Sequence, residues 1–436
     1  MPEPADALHA AIRGNDPTRV RAVLQDHPEL KSTIDQALPH GAFGQTAMLA
    51  AVQQRNLEIV DLLLEASANI NVGSHWWAGS FGVLDEADAA FAPALMERGA
   101  TLTPHAAARL GLMDRLQAIV AADPSAVHTR GGDGQLPLHF ASTIAIAEYL
   151  LIHGADIDAI DVDHESTAAQ WMLGTVERPN DPRSRHDIAR FLVARGCRTD
   201  ILMAAALGNV ELVQKHIDAD PASIRTSVSE KYFPKRDSCA GGTIYIWTLG
   251  AHKNAHMVAR KFGHDAAFAL LMAKSPAELR LAVACELGDE LLVRSLVASH
   301  PNLARTLADE DRRRVVDAAQ SGNVTGVRLM LEAGWPVDAR GQHGATALHW
   351  AGFHGNAAMA REILKHRPPL DALSHEFPGK PLEWALYGSR HGWNCEGADY
   401  VGTVQAMLDA GADVPADPGD PSEPVREVLR RYNRRG

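Results

Sequence analysis

Residues 344–372 read GATALHWAGFHGNAAMAREILKHRPPLDA. A glycine turn leads into a short apolar run, and His354-Gly355-Asn356 breaks it. A longer amphipathic run follows, and Pro368-Pro369 stops it. That is the pattern of two short helices folded back on each other, with Asn capping the second and Pro ending the unit. The same pattern returns at 44–72 (GQTAMLAAVQQRNLEIVDLLLEASANINV), 134–161 (GQLPLHFASTIAIAEYLLIHGADIDAID) and 379–415, which begins GKPLEWALYGSRHGW. Recurrence at this spacing signals a repeat architecture rather than one compact core.

A second variant lacks the leading turn. It appears at 7–30, 106–127, 202–224 and 281–303, as in LMAAALGNVELVQKHIDADPASI. A small-residue helix ends at Gly, Asn or Asp caps the next helix, and Pro closes the unit. Glycine tolerates the left-handed position, the short polar side chain accepts orphan amides, and proline cannot continue the helix. Small residues such as Ala204-Ala205-Ala206 let neighbouring helices come close.

These units resemble the ankyrin repeat. The segments LPLHFA (136–141) and TALHWA (346–351) are near copies of its Thr-Pro-Leu-His-x-Ala start, and the resemblance runs from about residue 4 to 415 as about twelve units. It implies an all-α, ankyrin-type helical-hairpin solenoid with enlarged finger loops, binding partners through a concave groove. Finger-less starts suggest blocks at 4–103, 104–200, 201–309 (with a long loop at 228–253) and 310–415. Residues 416–436 read as a linker and a basic terminal helix or tail. The resemblance also implies that His139 and His349 tie adjacent repeats by hydrogen bonds. Asp85, Gln170 and Glu383 stand at the same register and are expected to accept backbone amides. Phe140, Trp171, Trp350 and Trp384, one position on, are expected in the core between repeats.

The chain has 436 residues and a net charge of −12, from 54 acidic and 42 basic side chains. An acidic balance disfavours nucleic-acid binding, which requires clustered Lys and Arg; the runs Arg312–Arg314 and Arg430–Arg435 read as helix-end or tail charge. No apolar run is long enough to span a membrane, and Met1-Pro2-Glu3-Pro4 lacks a secretion-signal pattern, so a cytoplasmic, monomeric protein is expected. The four cysteines are far apart and form neither a disulfide framework nor a zinc motif.

Departures from the repeat are where a site is expected. Four segments depart: 73–81 with Trp76-Trp77, the Pro- and charge-rich stretch after Trp171, the loop 228–253, and 375–400. Register and finger position make His75, Trp76, Trp77, Tyr245, Trp247, His343, Phe353, Tyr387, His391 and Trp393 the candidate binding residues. Two readings follow: a scaffold that grips a protein partner with exposed aromatics, or an enclosed small-molecule site. If that second site is catalytic, His252 or His354 is the candidate base and Glu376 its carboxylate partner. No cofactor is expected, since phosphate loops and nucleophile elbows are absent. No metal is expected either: His252 and His256 have HxxxH spacing, but Lys253 replaces the glutamate and His256 falls at a buried register.

Overall fold

The computed structural model describes residues 3–174, 185–393 and 397–433. The charged stretch 175–184 and Cys395 therefore lie outside the described residues. Helices make up the regular structure, and among the described residues strand pairing is confined to two isolated bridges, Ala37 with Thr46 and Ile160 with Thr167. The chain forms two compact units. The N-terminal unit comprises residues 1–212 and 226–253, the C-terminal unit residues 213–225 and 254–436. No helix among the described residues is long and apolar enough to cross a membrane.

In the C-terminal unit the stacking is regular. The first helices of successive hairpins, Asp309–Gln320, Ala347–Phe353 and Pro381–His391, pack one on the next; so do the second helices, Val324–Glu332, Ala357–Leu364 and Tyr400–Asp409. Close approach demands glycine. A Cβ on Gly352 would lie 2.7 Å from the Pro381 carbonyl oxygen, and one on Gly388 would collide with that of Phe353. The terminal helix Glu423–Asn433 packs on this unit, and Val425, Val428 and Leu429 join the core. The arginine run 312–314 is not all helix-end charge either. Arg314 is buried and bonds Glu286 (3.2 Å) and Asp311 (3.3 Å), while Arg225 bonds the other Asp311 oxygen at 2.7 Å.

The N-terminal unit alternates the two variants as the sequence suggests, from Pro4–Arg13 with Pro17–Asp26 to Ile201–Leu207. Asn56 caps Leu57–Glu65 by accepting the Glu58 and Ile59 amides, and Gly208 ends Ile201–Leu207 at φ +67°. Two local expectations need correction. The LPLHFA segment forms only a 3-10 turn, Pro137–Phe140, because the capping Thr143 comes four positions after His139, whereas Asn356 comes seven positions after His349. Proline also does more than stop a unit: Pro28, Pro124 and Pro221 each open a 3-10 turn, where a missing N–H costs nothing.

Candidate functional site

The site begins with how the turns are tied. His349 Nδ1 accepts the Thr346 N–H at 3.0 Å, so its hydrogen sits on Nε2 and is donated to the Gly379 carbonyl at 3.1 Å. His139 repeats this with the Leu136 amide and the Ser166 carbonyl. Burial holds both imidazoles down at about 4. Asp85, Gln170 and Glu383 make the local half of the latch, accepting the amides of Gly82, Thr167 and Lys380. These ties place the next side chain, and Phe140, Trp171, Trp350 and Trp384 are all buried.

In the C-terminal unit the result is a cavity of about 740 Å³. Trp350 and Trp384 meet edge to face at 5.4 Å, and Phe353 lies 4.5 Å from Trp393. Tyr387 stacks on His391 at 4.4 Å and completes an aromatic lining. Trp350 and Phe353 are buried, whereas Tyr387 is 61% exposed and Trp393 72%. Carboxylates join the rings: Glu376, Glu383 and Asp417 line the cavity, as does Asp420, which is tied to Arg426. The Trp350 indole N–H is buried and meets no acceptor, an unsatisfied donor that calls for an explanation. His343, Phe353, Glu376, Tyr387, His391 and Trp393 thus come together.

The proposed acid–base pairing is not formed. Glu376 Oε2 is held by His343 Nδ1 at 2.5 Å. His354 Nε2 bonds the Gln320 carbonyl at 2.9 Å, its ring stacks on Trp350, and burial lowers its pKa. His252 belongs to the N-terminal unit and stands at φ +62° ahead of the helix Ala255–Lys261. It does not share that helix with His256, which is buried against Ser275 Oγ at 2.8 Å.

The remaining candidates lie in the N-terminal unit. His75 is exposed, with Nε2 on the Asp35 carbonyl. Trp76 packs edge to face on Phe43, while Trp77 is 43% and Trp247 65% exposed. Tyr245 is not at the surface. It is fully buried, donates to Asp200 Oδ2 at 2.8 Å and packs on Phe233, because loop 228–253 folds onto the finger at 161–166.

That folding brings Trp247 and Asp85 together with side chains that the sequence does not single out, Asp133 and His164 among them. A cavity of about 690 Å³ is lined by Phe43, Phe81 and Trp247 together with Asp85, Glu86, Asp133 and His164. Burial raises the Asp85 and Glu86 carboxyls and brings Asp133 up to about 6. Asp133 reads as a finger tip in Gly-Gly-Asp-Gly, and only the three-dimensional register shows it beside Asp163 and His164, all three buried.

Comparison with known proteins bears on the repeats that carry these side chains. The family model of the ankyrin repeat matches residues 43–75 and 133–162. Palmitoyltransferase Hip14 of Drosophila melanogaster is 31% identical over 119 residues, which is 27% of this chain. The shared stretch covers only 17% of that relative, so the activity in its name is said of that protein alone. Ankyrin repeats serve in general as protein-interaction scaffolds. With histidine latches closing two of the turns and the family model matching two stretches, the chain carries ankyrin repeats at residues 43–75 and 133–162.

Proposed function

We propose that the chain is a recognition scaffold whose C-terminal unit receives a cationic side chain, an ammonium or guanidinium, from a protein partner. The observation that carries this is the pairing of ring faces with carboxylates in one cavity of about 740 Å³. Ring faces attract cations, by about 0.5–2 kcal/mol per contact depending on desolvation. Glu376 and Asp417 add charge of the complementary sign, the buried Trp350 and Phe353 pack against the exposed Trp393, and His391 stacks on Tyr387. Trp77 and Trp247 extend the same reading to the N-terminal unit as exposed aromatic contacts.

The test is a peptide set in which one residue changes among Lys, Arg and the neutral Gln, titrated into the full chain. Cationic members bind better than the Gln member, and Trp393→Ala weakens them by about tenfold, the size of one desolvated cation–ring contact. Because Trp393 is 72% exposed, that substitution leaves the melting curve near wild type. Binding indifferent to charge, or unaffected by Trp393→Ala, contradicts the reading.

A further inference from the structure

The N-terminal unit has a second arrangement with a different chemistry. Asp133 and His164 sit at the tips of two neighbouring fingers, 31 positions apart (164 − 133). The Asp133 carbonyl accepts the Val162 and Asp163 amides at 2.9 and 3.1 Å, locking one finger to the next. Asp133, Asp163 and His164 are each buried, and one ligand atom from each lies within 4.8 Å of the others.

His164 and Asp163 are each held from behind and leave one atom facing the group. His164 Nδ1 lies 2.8 Å from the Gly242 carbonyl, which can only accept, so the hydrogen is on Nδ1. In the neutral ring Nε2 is then a lone pair, the reverse of the tautomer at His139 and His349. Trp171 packs edge to face on the same ring at 5.2 Å. Asp163 Oδ1 accepts the Gly241 amide at 3.0 Å, leaving Oδ2 to face His164 Nε2 at 3.6 Å. Asp133 is 9% exposed and its Oδ1 has no partner, although the Trp76 indole N–H is turned toward this carboxylate. Asp161 stands apart from this role, because its oxygens accept the His164 and Ser166 amides and the Trp171 indole N–H.

In the neutral ring, a lone pair on nitrogen facing a carboxylate oxygen, with the unpartnered Asp133 Oδ1 beside them, is repulsive unless a proton or a metal cation lies between. Two ligands bound tetrahedrally at zinc distances are about 3.4 Å apart, close to the 3.6 Å between Nε2 and Oδ2. An imidazole whose other nitrogen donates to a carbonyl is the usual support of a metal-ligating histidine. We propose that Asp133, Asp163 and His164 hold one divalent cation of the Zn²⁺ type, with further coordination positions toward the cavity that Asp133 and His164 line. The imidazole selects against Mg²⁺ and Ca²⁺, which prefer all-oxygen sites.

The full chain, stripped with EDTA, is titrated with Zn²⁺ and separately with Mn²⁺ as a paramagnetic probe. One ion binds per chain, Zn²⁺ raises the melting temperature, and bound Mn²⁺ shows spin-echo modulation from a single imidazole nitrogen. Excess Mg²⁺ does not displace either ion. Asp133→Asn and His164→Ala each weaken Zn²⁺ binding by about tenfold or more, while the echo spectrum reports on the unmodified chain should a variant fold poorly. Absence of saturable binding, Mn²⁺ without imidazole modulation, or unchanged Zn²⁺ affinity in a folded Asp133→Asn overturns the proposal. So does a metal-free His164 ring that is doubly protonated at neutral pH and insensitive to Zn²⁺, since the pair with Asp163 is then an ordinary ion pair.

Discussion

Five different residues at one register show what the turn requires. Asp85, His139, Gln170, His349 and Glu383 all accept the amide three positions back. For the two histidines the structure also shows Nε2 donating to a carbonyl in the following turn. His349→Gln therefore keeps the local bond and loses the latch, whereas His349→Ala loses both. In urea unfolding, Ala is the more damaging, by about 1–3 kcal/mol in total for the groups left unsatisfied. These rings also make stability depend on pH. Buried neutral at about 4, they bind protons more readily when unfolded, near 6.5. Their contribution is complete above the unfolded value and is lost as pH falls from 6.5 toward 4. The loss is up to about 1.4 kcal/mol per pH unit for each ring. Equilibrium unfolding at stepped pH measures this slope, and replacing both histidines with glutamine reduces it, leaving the share of His256, which burial lowers to about 3.

At the level of the element, close packing and buried charge set the tolerances. Gly388→Ala drives a Cβ into the Phe353 carbonyl oxygen and separates two first helices that form the aromatic wall. It costs about 1–3 kcal/mol in a thermal melt and weakens peptide binding with it. Asp311 is 1% exposed and serves both Arg314 and Arg225. Asp311→Ala leaves those cations without their shared carboxylate and costs about 3–5 kcal/mol. The first prediction rests on an element that is legible in sequence, the second on one that is not. Hairpins, caps and latches follow from backbone groups that must be satisfied at fixed offsets, so local spacing reveals them. Asp311 lies in DEDRRR, which reads as solvated charge, and its pairing with Arg225 depends on packing across 86 positions. Tyr245 is misread for a related reason: a loop outside the repeat has no period from which to tell an inward ring from an outward one.

Across the whole molecule, the odd residues of the repeat fall into two sets, one in each unit. Register alone brings Phe353, Tyr387 and the core tryptophans to neighbouring positions. The enclosure is not legible, because it needs Trp393 and the 415–420 segment to fold over the same face. The N-terminal cluster hides behind a finger tip whose partners come from the next finger and from loop 228–253. Trp247→Ala is expected to leave stability unchanged, since the ring is 65% exposed, and to lower partner capture without altering discrimination between Lys and Gln peptides. The direct test of cation recognition is a ¹H–¹⁵N spectrum of the eight tryptophan indoles during titration with a Lys peptide. The indole signals of Trp350, Trp384 and Trp393 shift together and saturate, those of Trp76 and Trp171 stay in place, and the Gln peptide moves none. Equal shifts with both peptides, or shifts that spare those three rings, contradict the account.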